Sequence, residues 1–437
     1  MVEFDDAPLR PFHRHLSIAS TGGVFADGYG LGIIGIALSL AAPALALSPI
    51  GIGLIGGASL AGLFAGALWT GPMADRFGRR PIFCCNMAVT AALALAQALV
   101  SSGWQLLLLR LAIGFLLGTD YVVSKTLLTE FAPRRLRGRI LGLLSVAWAA
   151  GYACAYSVGF ALSALGPLSW RWMLLSSAVP CLLVTPLRLA IPESPLWLAN
   201  HGREERAARI VRARLGPDIR PPTMNATAPR GPARWSQLFS SAWRVRTLVA
   251  CTFFTCQVIP YFAVGTFVAQ VMSALHLQGG YLGGLFYNLS LLAGAIAGLL
   301  VVDRISRRSF LIGSFAAATV TMFMLSAWNS MGPVLMSVLF ALFALVLSAA
   351  SNLVYVYLPE LFPTDLRASG IGLAIAASRI GSAISTFLLP IVVASYGVHA
   401  ALGACVAVLA VGTLVCQRWA PETKHLRLGS LDKAAAT

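Results

Sequence analysis

Charged residues are scarce in this chain. They make up 11% of its 437 residues, against about 25% in a soluble domain, so little of its surface is built to face water. Lysine is almost missing, with three residues beside 29 arginines. Histidine occurs only at positions 13, 15, 201, 276, 399 and 425, none in the middle of a long apolar stretch. That removes the imidazole base or ligand an intramembrane enzyme would need. Eight cysteines, two of them adjacent as Cys84-Cys85, show no metal-ligand spacing and read as small apolar helix residues. No catalytic residue, metal site or enzymatic activity is therefore expected.

The remainder is apolar: 58% hydrophobic, with a mean hydropathy of +0.79. At about 20 residues per spanning helix, the stretches supply twelve spans, near 16–40, 50–72, 82–102, 104–130, 139–164, 170–190, 246–272, 281–302, 309–328, 333–358, 368–394 and 398–418. Their length and unbroken hydrophobicity exclude a β-barrel. The expected fold is an all-α membrane protein. A net charge of +16 could suggest nucleic acid, but its placement argues against that partner. Arginines gather in alternate loops, at 76–80, 134–139, 203–246, 304–308 and 418–427. The intervening loops at 41–50, 101–104, 163–169, 273–281, 328–333 and 395–399 contain no Arg, Lys, Asp or Glu. This is the positive-inside pattern. It puts both termini and the long central loop in the cytoplasm, with the basic excess against lipid headgroups. No cleavable leader is expected, since the polar N-terminus runs directly into span 1. Asn225-Ala-Thr227 matches a glycosylation sequon but falls on the cytoplasmic side.

The chain also repeats itself. Glu130-Phe-Ala-Pro133-Arg-Arg-Leu136-Arg137 returns 230 residues later as Glu360-Leu-Phe-Pro363-Thr-Asp-Leu366-Arg367. Asp75-Arg76-Phe-Gly78-Arg79-Arg80 returns as Asp303-Arg304-Ile-Ser-Arg307-Arg308, and Pro192-Glu193-Ser194 as Pro421-Glu422-Thr423. A constant offset near half the length marks two copies of one unit. Six spans per copy make the repeats parallel, an arrangement that places a site between two halves at the membrane midplane. The expected domains are 1–190, a cytoplasmic linker 191–245 with a helical stretch from Arg203 to Leu215, and 246–437. Gly51-Ile-Gly53-Leu-Ile-Gly56 matches a dinucleotide fingerprint, but no strand precedes it. The glycines of spans 2 and 5 read instead as close helix contacts.

These motifs resemble the major facilitator superfamily. Gly71-Pro-Met-Ala-Asp75-Arg76-Phe-Gly78-Arg79-Arg80 is similar to its loop 2–3 signature. Arg110-x3-Gly114-x3-Gly118, Trp170-Arg171-Trp172, Pro192-Glu193-Ser194, Arg379-x-Gly381 and Pro421-Glu422-Thr423 resemble sugar-porter-like members. Two departures stand out. Where sugar porters carry Gly-Tyr-Asp, this chain has Gly28-Tyr29-Gly30, with the acid at Asp27. Gly118-Thr119-Asp120-Tyr121 resembles the span-4 motif of phosphate and metabolite:proton symporters, with Val122 in place of proline. The chain thus looks closer to organic-acid and metabolite symporters than to hexose porters.

Ionisable groups within a span cost several kcal/mol and mark function by default. The apparent set is Asp27, Arg110, Asp120, Lys125 and Arg379. Asp27 and Asp120 are expected to carry the coupling proton. Arg110, by resemblance, neighbours the proton-carrying acid and switches its proton affinity. Tyr29, Tyr121, Lys125, Gln257, Tyr261, Tyr287, Asn288, Asn352, Tyr355 and Arg379 are the expected substrate contacts, the sparse polar groups a pocket needs. The resemblance assigns gating to Gly71, Asp75, Arg76, Gly78, Arg79, Arg80, Glu130 and Arg137, and to Asp303, Arg304, Arg307, Arg308, Glu360 and Arg367. These form ion-pair clusters that latch the outward-open state. The expected activity is proton-coupled symport of a small anionic metabolite by a monomer in a bacterial inner membrane. Its partners are substrate and membrane lipids, and the proton stands in place of a cofactor. A sugar or polyol symporter and an efflux pump are the alternatives. Efflux is disfavoured because Ala149-Ala-Gly151-Tyr-Ala-Cys154 lacks the Gly-Pro-x-x-Gly-Gly of drug antiporters.

Overall fold

The computed structural model describes residues 2–133, 136–222, 235–275, 280–302, 304–328, 332–362 and 364–423, apart from the side chains at 5, 75, 138, 139, 235, 280, 281, 364, 365, 367 and 368. Within lipid every backbone N–H and C=O must be satisfied inside its own segment, and the described residues are accordingly almost all helical. The first set is α1 (Pro11–Ala44), α2 (Pro49–Phe77), α3 (Arg79–Gln97), α4 (Gly103–Phe131), α5 (Arg137–Ser163), α6 (Ser169–Ser176) and α7 (Ala178–Leu189). Two short helices follow, α8 (Pro195–Asn200) and α9 (Glu204–Arg214). The second set is α10 (Arg244–Thr266), α11 (Val268–Ala274), α12 (Gly280–Val301), α13 (Arg307–Ala327), α14 (Pro333–Ser351), α15 (Leu353–Glu360), α16 (Thr364–Tyr396) and α17 (Val398–Trp419).

The pairs α6/α7, α10/α11 and α14/α15 each continue a single span, which restores six crossings per set. The α6/α7 break at Ser177 has a local cause. Pro180 lacks the N–H that would bond the carbonyl of Ser176 four residues back. Among the described residues eleven spans are long and apolar enough to cross a membrane by themselves. The twelfth, α3, is 19 residues long and opens with Arg79-Arg80. Its polar Asn86, Thr90 and Gln97 are all buried.

The two sets pack alike. The helix α1 lies on α5, α2 on α4 and α3 on α7, while α10 lies on α16, α12 on α14 and α13 on α17. Backbones meet closely at these seams. A Cβ on Gly114 or Gly118 of α4 would run into backbone atoms of Ser59 or Leu63 on α2. This is how small residues bring helices together in lipid, where apolar side chains gain nothing from leaving one another. The glycine reading of span 2 holds at this seam.

The N-terminus joins the arginine-rich end. Val2–Glu3 (β1) pairs in parallel with Ile219–Arg220 (β2), and Arg10 binds Asp218 at 3.0 Å. This pairing was not foreseen from the sequence. The helical stretch expected over 203–215 appears as α9. Residues 223–234 of the linker, and the tail from 424, lie outside the described residues.

The two sets meet through α2 and α16, α5 and α12, and α1 with α10 and α11. At the charge-free end they close tightly: a Cβ on Gly35 would collide with the backbone of Thr266, and one on Gly53 with the backbone of Phe387. Gly53→Leu is therefore expected to hold that end apart. In a cysteine-depleted background, a cysteine at Leu31 should react with an impermeant maleimide from the charge-free side about tenfold faster, the response to a shift of about 1.4 kcal/mol. Unchanged labelling would contradict this account of the seal.

Candidate functional site

A central chamber of about 90 Å³ lies between the two helix sets. Its wall includes Asp27 and Leu31 of α1, Leu117 and Tyr121 of α4, and Trp148 of α5. Opposite them stand Phe254, Gln257, Tyr261 and Phe262 of α10, with Ser348, Tyr355 and Arg379. A larger vestibule of about 540 Å³ lies toward the arginine-rich end, bounded by Lys125, Thr129, Leu141, Pro359 and Ile371. Tyr121, Val354, Tyr355 and Arg379 line both spaces and so form the partition between them.

The partition is built from cations and rings. The Lys125 Nζ sits 3.4 Å from the ring centroid of Tyr121 and 4.5 Å from that of Tyr355. The Arg379 guanidinium lies 5.6 Å from the Tyr121 ring, 5.8 Å from Phe254 and 5.7 Å from Phe262. Both cations also approach the Tyr121 hydroxyl. Arg379 is 6% exposed and its Nε has no acceptor. Among the described residues no carboxylate pairs with either cation. Ring faces hold a cation in place but do not neutralise it. Beyond this group Trp148 stacks on Tyr152 at 5.1 Å and meets Tyr261 at 5.6 Å. Gln257 donates to the Leu347 carbonyl at 3.2 Å and leaves its Oε1 unpaired beside the chamber.

Asp120 does not face the chamber. Its carboxylate is held by Arg188 of α7 through both terminal guanidinium nitrogens, Nη1 and Nη2, the second at 3.0 Å. Neither side chain is exposed. Ser124 donates to Asp120 at 3.0 Å. The Arg188 guanidinium also donates to the carbonyls of Phe83 at 3.3 Å and Ala19 at 3.4 Å, which ties α7 to α1, α3 and α4. Gly23 makes this possible, because a Cβ there would strike the guanidinium. One turn further along α1, the Asp27 carboxyl lies beside both Asp120 and Arg188, and its Oδ1 has no partner.

Several expected roles change on this geometry. Arg188 falls at the end of its apolar stretch and reads as a loop charge, yet it is Arg188, in the place expected of Arg110, that lies beside the two acids. Arg110 does not adjoin the acids: its Nη2 donates to the Gly30 carbonyl at 2.9 Å. The shift of the acid from position 30 to 27 moves it about one turn, roughly 4.5 Å along the axis, away from that arginine. Tyr29 bonds Ser176 at 2.8 Å within its own helix set. Asn288 caps the Gly284 carbonyl at 2.7 Å, and Asn352 donates to Ala295 at 3.1 Å. Tyr29, Tyr287, Asn288 and Asn352 line neither space. Asp27, Tyr121, Gln257, Tyr261, Tyr355 and Arg379 reach the chamber, and Lys125 reaches the vestibule. Trp148, Phe254 and Phe262 also line the chamber. They were not singled out because aromatic residues in apolar helices read as packing.

The loop motifs form two matching clamps at the arginine-rich end. Arg79 lies 3.4 Å from Glu130, and Arg307 lies 3.6 Å from Glu360. Each cluster has a further carboxylate at a helix start. Glu193 accepts from the backbone N–H of Arg79 at 3.0 Å and of Arg80 at 3.1 Å. Glu422 accepts from those of Arg307 at 3.1 Å and Arg308 at 3.2 Å. Carboxylates are favoured there by the unpaired amides and the helix dipole. Gly78, at φ +94°, leaves room that a Cβ would take from Glu193. Thr423 adds a 2.5 Å bond to Glu360. Both Glu193 and Glu422 were legible in the 229-residue repeat but were given no role. Arg137 donates to the Ala132 carbonyl at 3.1 Å. Gly71 has open space around it, and the exposed Arg76 stacks on Phe77. Arg304 is exposed, and Arg308 donates to Gln417 at 2.9 Å. Asp303 and the side chains of Asp75 and Arg367 lie outside the described residues. The Arg79–Glu130 pair lies within the first helix set and the Arg307–Glu360 pair within the second.

Known proteins agree with this architecture. The profile of the family described as sugar (and other) transporter matches residues 16–435. The chain belongs to that family. It is 40% identical over 427 residues to the inner membrane metabolite transport protein YgcS of Escherichia coli (strain K12), covering 98% of this chain and 95% of that one. It is 36% identical over 428 residues to the putative metabolite transport protein YaaU of the same organism, covering 97% and 96%. Among solved structures, the xylose transporter XylE from E. coli in a partially occluded inward-open conformation superposes with a TM-score of 0.80. That match has 18% identity and covers 95% of this chain and 99% of that one. The chain is thus a membrane transporter of that family, not an enzyme, and its described helices share the fold of the xylose transporter.

The Asp120–Arg188 pair yields a direct test. Arg188→Leu strands a buried carboxylate and is expected to cost about 3–5 kcal/mol, seen as a large drop in the melting temperature of detergent-purified protein. Asp120→Asn added to Arg188→Leu should recover much of the loss. A single variant that melts like the parent would remove the pair from its organising role.

Proposed function

We propose that this chain is a proton-coupled symporter for a small organic anion. The observation that carries the reading is the partition: Arg379 faces both chamber and vestibule and Lys125 faces the vestibule, both among aromatic rings, with no carboxylate from the described residues to balance them. A substrate carboxylate supplies that balance, and the planar guanidinium of Arg379 suits it. Asp27 stands on the same chamber with a free carboxyl oxygen, next to the Asp120–Arg188 pair. Loading a proton there removes one charge from a crowded acidic site. The substrate anion and the proton then cross together. One proton with a monoanion moves no net charge.

The clamps and the glycine-sealed end support alternating access by rocking of one helix set against the other. The arginine distribution supports a bacterial inner-membrane location with both termini and the linker in the cytoplasm. That places the vestibule on the cytoplasmic side, consistent with an inward-facing state. The division into two six-helix units, 1–190 and 246–437, joined by the linker 191–245, follows the same reading. The family's own description keeps a second substrate class in play, because sugars would use the unpaired Oε1 of Gln257 and the aromatic wall.

Reconstituted protein is expected to accumulate substrate about tenfold for each unit of inward pH gradient at one proton per monoanion. Asp27→Asn should keep substrate exchange but lose accumulation, and Arg379→Gln should lose binding of carboxylates. Substrates are found first by thermal shift across aliphatic and aromatic acids, phosphate and sugars. Stabilisation by sugars alone would overturn the anionic class. Accumulation indifferent to the pH gradient would overturn coupling.

A further inference from the structure

Arg110 plays no part in the chamber or the clamps, and its surroundings do not balance its charge. The side chain is fully buried. Among the described residues Nη2 has an acceptor, the Gly30 carbonyl at 2.9 Å, and Nε and Nη1 have none. The two acids of the membrane segments are committed elsewhere. Asp120 is bound to Arg188, and the charged neighbours of Asp27 are Asp120 and Arg188. Ser59 uses its hydroxyl on the Arg110 carbonyl at 3.2 Å, so it orients the backbone and leaves the guanidinium untouched.

Gly30 adds the second half of the site. It is buried, yet a Cβ built there would meet no heavy atom within 4 Å. Most buried glycines of this chain sit against a neighbour's backbone. The space at the Gly30 Cβ position is therefore open, and the carbonyl of the same residue holds a guanidinium whose Nε and Nη1 have no acceptor among the described residues. A buried charge with no counter-charge costs several kcal/mol. Water could take the two N–H bonds but would leave the charge. Arg110 lines neither the chamber nor the vestibule, which separates it from the route proposed for the cargo.

We propose that Arg110 and Gly30 form a structural site for a small monovalent inorganic anion of halide size, distinct from the substrate site. The anion accepts from Nε and Nη1 and does in this chain what a carboxylate at position 30 would do. The site stabilises the packing of α4 against α1 on the sealed side of the chamber.

The test uses the purified full chain in detergent, exchanged into gluconate buffer at constant ionic strength and titrated with sodium chloride or bromide. Saturable rises in melting temperature are expected for both halides, as for any ligand that binds the folded state. Gly30→Asp supplies an internal counter-charge and should melt at or above the parent with no halide response. Arg110→Gln should also lose the response, while Arg379→Gln should keep it. A parent indifferent to halide would overturn the proposal. So would a response that survives in both Gly30→Asp and Arg110→Gln. A response lost in Arg379→Gln would overturn it as well, by assigning the halide to the chamber.

Discussion

An arginine on α7 reaching a carboxylate on α4 organises the first helix set. The Arg188 guanidinium holds Asp120 and also takes up carbonyls from α1 and α3, so four helices converge on one charge. Lipid offers no competing solvent, and that is why such a pair can dictate helix order there: neither partner has anywhere else to discharge. Gly23 supplies the hollow in which the pair fits, and Asp27 sits one turn further on. The acid that borders the chamber thereby lies beside a buried ion pair.

Among the described residues the second helix set has no equivalent of this centre. Its charge is Arg379, held among rings at the partition. The two copies of the repeat agree where they hold the structure together. The seams α2–α4 and α12–α14 correspond, and so do the clamps built on Glu193 and Glu422. They disagree where they face each other across the chamber. The first wall offers a carboxyl, Asp27, and the second a guanidinium, Arg379, while Lys125 of α4 borders the vestibule beside the same partition.

Most of the architecture was legible in the chain itself. Periodic apolar stretches, alternate basic loops and the 230-residue repeat lead to twelve helices in two parallel sets. The clamps were half legible: the arginines and Glu130 and Glu360 stood out, but the carboxylates of Glu193 and Glu422 act on backbone amides that no side-chain pattern announces. The chamber was legible at its charged residues and illegible at Trp148, Phe254 and Phe262, because hydropathy cannot tell a ring that lines a cavity from one that fills a seam. Arg188 escaped because position along an apolar stretch was used as a measure of depth, and a long arginine at a helix end can reach inward as well as outward. The placement of Arg110 turned on glycine at position 30, whose backbone carbonyl it meets where a side-chain carboxylate was expected nearby.

The clamps have a consequence for how the loops can change. Glu193 and Glu422 grip main-chain N–H groups at the starts of α3 and α13, and these donors exist whatever side chain is attached. These backbone bonds survive a change of side chain at positions 79, 80, 307 and 308, whereas the Arg79–Glu130 and Arg307–Glu360 pairs do not. The two glutamates therefore hold the helix starts in place even where an arginine is replaced.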